Sequence, residues 1–299
     1  MSNLQHLSPW EHIGLRLALI FCRALSGILF FIFSKIWHYR REVVFDNLTA
    51  SFPELDADQI KQTARSYFKH LADLIVEPFL IRNLTKGQLR ALTEFENLRL
   101  IKKLLDEQKS IVLVASHVGN WEYLHLLPAF TGCEVFAAYS PVANKFVNKA
   151  LMQMRGRFGV QLIAKRDWYR FVMRRRDKQP AIFVTIADQR PETPSGHNMH
   201  FMNQKTYFQP GAARLAANLN CALVYLDVVQ QARHAYSFRF DLITSDAGRQ
   251  DESYLMQCYA RGLETTIQRK PELWLWSHKR WQFRLRQQTT KPSREQVFV

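Results

Sequence analysis

His117 and Glu122 stand in the run ASHVGNWEYL, directly after the apolar stretch IVLVA that ends at Ala115. A histidine at the carboxyl end of a parallel strand lies where open α/β sheets place their ligands. Gly119 lets the backbone turn sharply there, and Asn120 is suited to cap a helix opening at Trp121. A loop histidine and a first-turn glutamate can meet, so Glu122 would hold one ring nitrogen of His117 while the other accepts a proton. Backbone donors near Gly119 and Trp121 would then meet a developing oxyanion. A base of this kind needs a substrate that brings its own nucleophile, such as a hydroxyl, because no G-x-S-x-G stretch supplies a serine. Direct transfer without an acyl-enzyme follows. Taken alone, the spacing is a weak pattern and favours a polar strand-end residue followed by a favourable helix-start charge. H-E-x-x-H is absent and no His or Cys cluster adjoins the pair, so neither a metal nor another cofactor is expected.

The elements that must position these residues show in the hydrophobic pattern. From residue 111 onward, short β-rich runs (IVLVAS, EVFAAYS, VQLIA, AIFVTIAD, CALVYLDVV) alternate with helical stretches. This predicts an α/β fold with a mainly parallel sheet flanked by helices. CALVYLDVVQ and YSFRFDLI, joined by a short turn at 232–235, give it an antiparallel end, and a helix over about 251–269 follows. Upstream, Asp56 stands three residues before Gln59, a capping box that opens a helix through Ile60, Ala64, Phe68, Leu71 and Ile75.

The chain starts with an apolar stretch, residues 12–36, interrupted by Arg16 and Arg23. A full span needs about 20 apolar residues, and arginine at mid-bilayer costs roughly 2.5–3.5 kcal/mol. The segment therefore reads as a helix that dips into or marginally spans a membrane, or as a buried first helix. Lys35, Arg40 and Arg41 follow it with no small-residue cleavage site, which argues against a removed signal peptide. The expected organisation is an anchor with its basic flank over 1–41 and a catalytic domain over 42–299.

The 299 residues carry 41 Lys and Arg against 26 Asp and Glu, a formal charge of +15, which favours anionic partners. Aromatic residues at 13% suit a protein that meets lipid better than a nucleic-acid module. Cys22, Cys133, Cys221 and Cys258 lack any C-x-x-C spacing and read as buried thiols.

Taken in order, several stretches resemble the late acyltransferases of lipid A biosynthesis, the lauroyl and myristoyl transferase family within the lysophospholipid acyltransferase-like superfamily. They are the apolar start, YRREVVFDNLTASFPE, SHVGNWE, QMRGRFGVQLI, ADQRP, PGAARLAANLNCALV and ELWLWSHKRW. The resemblance implies that His117 and Glu122 form the catalytic pair. It also implies substrate-binding roles for Arg155, Asp188 and Gln189, with Gly119 and Asn120 beside them. An acyl-carrier-protein thioester, or acyl-CoA, is the implied donor, a glycolipid hydroxyl the acceptor, and the cytoplasmic face of the bacterial inner membrane the location. HFMNQKT, from His200 to Thr206, departs from the family's usual paired phenylalanines and glycine. This stretch is expected to line the acceptor or acyl pocket. Two rivals remain: transfer to another phosphoglycolipid or an aminolipid, and a basic nucleic-acid-binding protein suggested by Arg174–Arg176 and the tail from Lys279 to Arg294. No zinc-finger or RNP-like signature accompanies those charges, so anionic lipid or an acidic carrier, not nucleic acid, is the expected partner.

Overall fold

In a computed structural model, residues 6–282 are described apart from His38 and Asp177, so the basic tail from residue 283 lies outside the described residues. Helix α1 (Pro9–Phe31) opens at a Ser8–Glu11 capping box and passes into a π-helical turn, Ile32–Ile36. α2 (Arg41–Ser51), α3 (Ala57–Asn83) and α4 (Lys86–Ala91) follow. The Asp56–Gln59 box caps α3 as expected, and Ile60, Ala64, Phe68 and Leu71 are buried on one stripe, although Ile75 faces outward.

Seven strands build the main sheet. They are β1 (Thr93–Glu96), β2 (Ile111–Ala115), β3 (Val135–Tyr139), β4 (Val160–Ala164), β5 (Ile182–Ile186), and, beyond the small hairpin of β6 (His197–Phe201) and β7 (Gln204–Phe208), β8 (Ala222–Ala232) and β9 (Ala235–Thr244). Between them run α5 (Leu98–Asp106), α6 (Leu127–Thr131), α7 (Lys145–Gly156), α8 (Lys165–Met173) and α9 (Gly211–Leu219), and α10 (Glu252–Arg269) follows. The order across the sheet is β1-β9-β8-β2-β5-β3-β4, and every pairing is parallel except β8 with β9. The mainly parallel α/β fold with one antiparallel pair is thus observed. The hairpin is not the outermost element, because β1 adds to β9 as an edge strand; four residues, TEFE, are too few to show a pattern.

All five residues of β2 are buried, as a central strand covered on both faces requires. The core continues through α3, α10 and the tryptophans Trp274, Trp276 and Trp281. The four cysteines are free; Cys22 and Cys221 are buried, while Cys133 and Cys258 are only half-buried.

Candidate active site

β2 and β5 are neighbours in parallel register, Ile111 beside Ile182 through Ala115 beside Ile186, and the Ala187 N–H donating to the Ala115 carbonyl at 3.2 Å extends the pairing. Both chains therefore leave the sheet at the same edge, His117 from one and Asp188 from the other. The His117 Nδ1 lies 2.7 Å from Asp188 Oδ1, and the His117 backbone N–H donates to Oδ2 at 2.9 Å. Trp274 Nε1 donates to the same Oδ2 at 2.8 Å. Burial would push the Asp188 carboxyl up, but the facing imidazole and these hydrogen bonds outweigh it and hold it at about 2. An acceptor-only carboxylate at Nδ1 fixes the Nδ1–H tautomer and leaves the lone pair on Nε2. Only 3.4 Å from that Nε2 is the amide nitrogen of Gln189, and the ring packs edge-on against Trp121 at 4.6 Å.

Glu122 does not hold the histidine. Asn120 caps a short 3₁₀ turn, Trp121–Leu126, accepting from the Glu122 N–H at 2.9 Å, and this turn carries the Glu122 carboxylate to α7. There Arg155 grips it with two nitrogens, Nε at 2.7 Å and Nη2 closer still. The hydrogen bond to Glu122 raises Arg155 above its already high ordinary value. The two charges are thereby matched in a fork geometry, with Glu122 buried and Arg155 half-buried.

Asn120 is buried and both ends of its amide are engaged, the oxygen in the cap and Nδ2 with Glu77 Oε2 at 2.5 Å. Gly119 sits at φ +58°, where an added Cβ would come within 2.9 Å of Val228 Cγ1. Its N–H donates to the Leu273 carbonyl at 3.0 Å, so this expected oxyanion donor is already committed to the protein. Glycine is required here by conformation and by space. Within the HFMNQKT stretch, Phe201 and Met202 are core residues, Phe201 packing on Trp274 and Trp281, and Thr206 accepts from the buried Arg280 at 2.6 Å.

Two supports of the site were not foreseen. Trp274 reaches Asp188 because the segment 274–280 is pinned from α2 and α3. Asn47 Nδ2 donates to the Trp276 and His278 carbonyls at 2.9 and 3.0 Å, and Tyr67 Oη accepts from the Ser277 N–H at 3.1 Å. Burial pushes His278 down to about 4, and its neutral Nε2 lies 3.4 Å from the Arg190 N–H. Behind the loop, Glu77 is wholly buried between Asn120, His234 Nδ1 at 2.8 Å and Tyr236 Oη at 3.2 Å. Among the described residues, no three His, Cys, Asp or Glu side chains are grouped to hold a metal ion.

His117 thus stands at the carboxyl edge of a mainly parallel sheet, in a fold whose first helix is long and apolar on its outer face. Residues 16–283 match the family model for bacterial lipid A biosynthesis acyltransferases, and the chain belongs to that family. It is an acyltransferase of lipid A biosynthesis, acting on a lipid or glycolipid substrate and associated with the membrane through one apolar N-terminal helix. No curated relative matches the sequence. Among solved structures, the 1-acyl-sn-glycerophosphate (LPA) acyltransferase PlsC from Thermotoga maritima aligns over 83% of this chain and 97% of its own, at 12% identity and a TM-score of 0.37, which is a loose likeness.

Proposed function

We propose that the protein transfers a fatty acyl chain from an acyl-carrier-protein or acyl-CoA thioester directly to a hydroxyl of a lipid A-type glycolipid, at the cytoplasmic face of the inner membrane. His117 Nε2 takes the proton as the hydroxyl oxygen bonds to the thioester carbonyl carbon. The C–S bond breaks as the tetrahedral intermediate collapses, and the imidazolium returns the proton to the departing thiolate. Asp188 orients the ring and stabilises the imidazolium without itself becoming protonated. Glu122 acts through Arg155: the pair uses Nε and Nη2 of the guanidinium, and Nη1 serves a phosphate or the developing oxyanion. Gln189, beside Nε2, positions the acceptor hydroxyl.

The observation that carries this reading is the 2.7 Å contact of His117 Nδ1 with a buried carboxylate, which leaves Nε2 as the base. The +15 charge supports an acidic carrier as donor and an anionic membrane surface as the docking plane. Another phosphoglycolipid or an aminolipid would use the same chemistry. The test is acceptor-dependent release of free carrier thiol by the purified full-length protein, given a lipid A precursor. His117→Ala and Asp188→Asn should each lower turnover by at least about a hundredfold. Wild-type turnover in both variants sinks the mechanism, and a trapped acyl-enzyme replaces direct transfer with a two-step route.

A further inference from the structure

A cavity of about 400 Å³ lies away from His117, between α1, α3 and the tip of the β8–β9 hairpin. Its walls include Ser26, Gly27 and Phe30 of α1, Lys69, His70 and Asp73 of α3, and Arg233 and Glu272 opposite. The volume falls within the roughly 300–1,000 Å³ usual for small-ligand sites. Three features bear on what would fill it.

The first is unmet hydrogen bonding. His70 is 4% exposed and Ser26 1%, yet neither ring nitrogen of His70 nor the Ser26 hydroxyl has a hydrogen-bond partner. Buried polar atoms are nearly always paired, so three unmet atoms in one cavity call for a polar occupant. The second is charge. Lys69 and Arg233 line the cavity, and Lys270 reaches its wall by donating to Gln230 at 2.9 Å. Against these three cations stand Asp73, already held by Arg233 at 2.7 Å, Glu272 at the wall, and Glu77, buried behind His70 and engaged by Asn120, His234 and Tyr236. Lys69 forms no ion pair among the described residues, and Arg23, one helical turn before Gly27, is exposed on the same flank of α1. With Asp73 and Glu77 already engaged, the charge left over at the cavity favours an anion.

The third is position. One wall is the helix whose outer face (Ile13, Leu17, Ile20, Phe21, Ile28, Phe31) is exposed and apolar, so the cavity adjoins the surface that meets lipid. Phe30, whose ring lies 5.8 Å from Lys69 Nζ, and Leu273 add apolar area beside the cations. An anion with an attached apolar body, presented at a bilayer, is a phosphate-bearing lipid headgroup.

We infer that the cavity between α1 and α3 is a binding site for the phosphate-bearing headgroup of a membrane lipid. The phosphate accepts from Lys69, His70 and Ser26, and the acyl chains leave along the outer face of α1. This rests on membrane association through α1 and not on the proposed chemistry at His117. Because Leu273, whose carbonyl accepts from Gly119, lines the cavity, an occupant also braces the catalytic loop from behind.

Gly27 gives a clean test, since a Cβ there meets nothing within 4 Å and a larger side chain is tolerated by a helix. Full-length protein in detergent would be mixed with phosphatidylglycerol, a phosphorylated lipid A precursor, diacylglycerol or inorganic phosphate, and bound mass read by native mass spectrometry. Wild type should retain one phosphorylated lipid and no diacylglycerol. Gly27→Leu and Lys69→Glu should each bind at least about tenfold more weakly, with unchanged circular dichroism. Retention of phosphatidylglycerol assigns a resident phospholipid, and retention of the glycolipid alone assigns the acceptor's own phosphate. The inference is overturned if folded Gly27→Leu binds as wild type, if diacylglycerol binds equally well, or if no phosphorylated lipid is retained. Thiol-release activity is measured separately, so failure here leaves the His117 mechanism standing.

Discussion

A carboxylate that accepts three hydrogen bonds while almost wholly buried is stable there only as the anion. Asp188 is held at about 2 against an ordinary 3.8, a lowered value, so its contribution to stability is present above about pH 4 and is lost as the pH falls towards 2. The size is roughly 2 kcal/mol. Urea unfolding at pH 5 and pH 2.5 should show that loss in the wild-type protein, and Asp188→Asn should abolish that part of the pH dependence; an identical slope in the variant would refute it. The same contacts separate the roles of two acids. In the proposed mechanism Asp188→Asn alters the base directly, whereas Glu122→Gln leaves the His117–Asp188 contact intact and unbalances Arg155. The second variant should therefore lower kcat/KM with the pH profile of kcat/KM unmoved, while Asp188→Asn shifts that profile. In the sequence, Glu122 was visible as a partner because it lies five residues from His117, and Asp188 was visible only as part of a motif. Local spacing favours the near acid. The far acid wins because β5 inserts beside β2, and the sequence carries that fact only as two apolar runs of equal length ending in His and Asp.

At the level of elements, the pattern was most legible where local rules act alone. The capping box at Asp56, the helix over about 251–269 and the five β runs were found where expected, since each depends on neighbours in the chain. The β6–β7 hairpin was missed because HNMHF and QKTYF carry polar residues at outward positions and are held by α10 and the tryptophans, contacts distant in sequence. The turn after His117 is likewise set from afar. Val118 bridges to Trp274, Gly119 donates to Leu273, and Asn47 fixes the Trp276 and His278 carbonyls just beyond them. Gly119→Ala must strain a left-handed backbone and push on Val228 and Tyr236, at a cost of about 1–3 kcal/mol. Trp274→Phe should cost a similar amount, about 1–3 kcal/mol, by removing a donor from buried Asp188. Thermal denaturation measures both, and activity should fall further than stability in each, because His117 loses its fixed approach. Variants that melt early yet turn over normally at low temperature would show these contacts to be purely structural.

For the molecule as a whole, the apolar start is neither a detached span nor an ordinary core helix. α1 runs along α3, burying Leu15, Cys22 and Ser26 on one stripe, while Ile13, Leu17, Ile20, Ile28 and Phe31 face outward. Arg16 and Arg23, seven residues apart, share a flank between those two faces and so need not enter the apolar sector. Composition could not show this, since the same residues in a span would put arginine at mid-bilayer. Phe21 meets Phe79 of α3 at 5.8 Å, and exposed Ile75 and Phe79 extend the apolar surface onto the catalytic body. Removing α1 would therefore bare the α3 core and confuse lost attachment with lost folding. Charge on the outer face avoids that: Leu17→Glu with Ile28→Glu changes two side chains that are 62% and 58% exposed. Taking two such residues out of lipid forfeits about 3–6 kcal/mol, so partition onto anionic vesicles should weaken at least about a hundredfold. Circular dichroism and melting should stay close to wild type. Transfer to acceptor embedded in vesicles should fall with the partition, and transfer to detergent-dispersed acceptor should not. If the doubly charged protein still sediments fully with vesicles, attachment runs through another surface; if both assays fall together, α1 supports catalysis by packing and not by holding the site at the membrane.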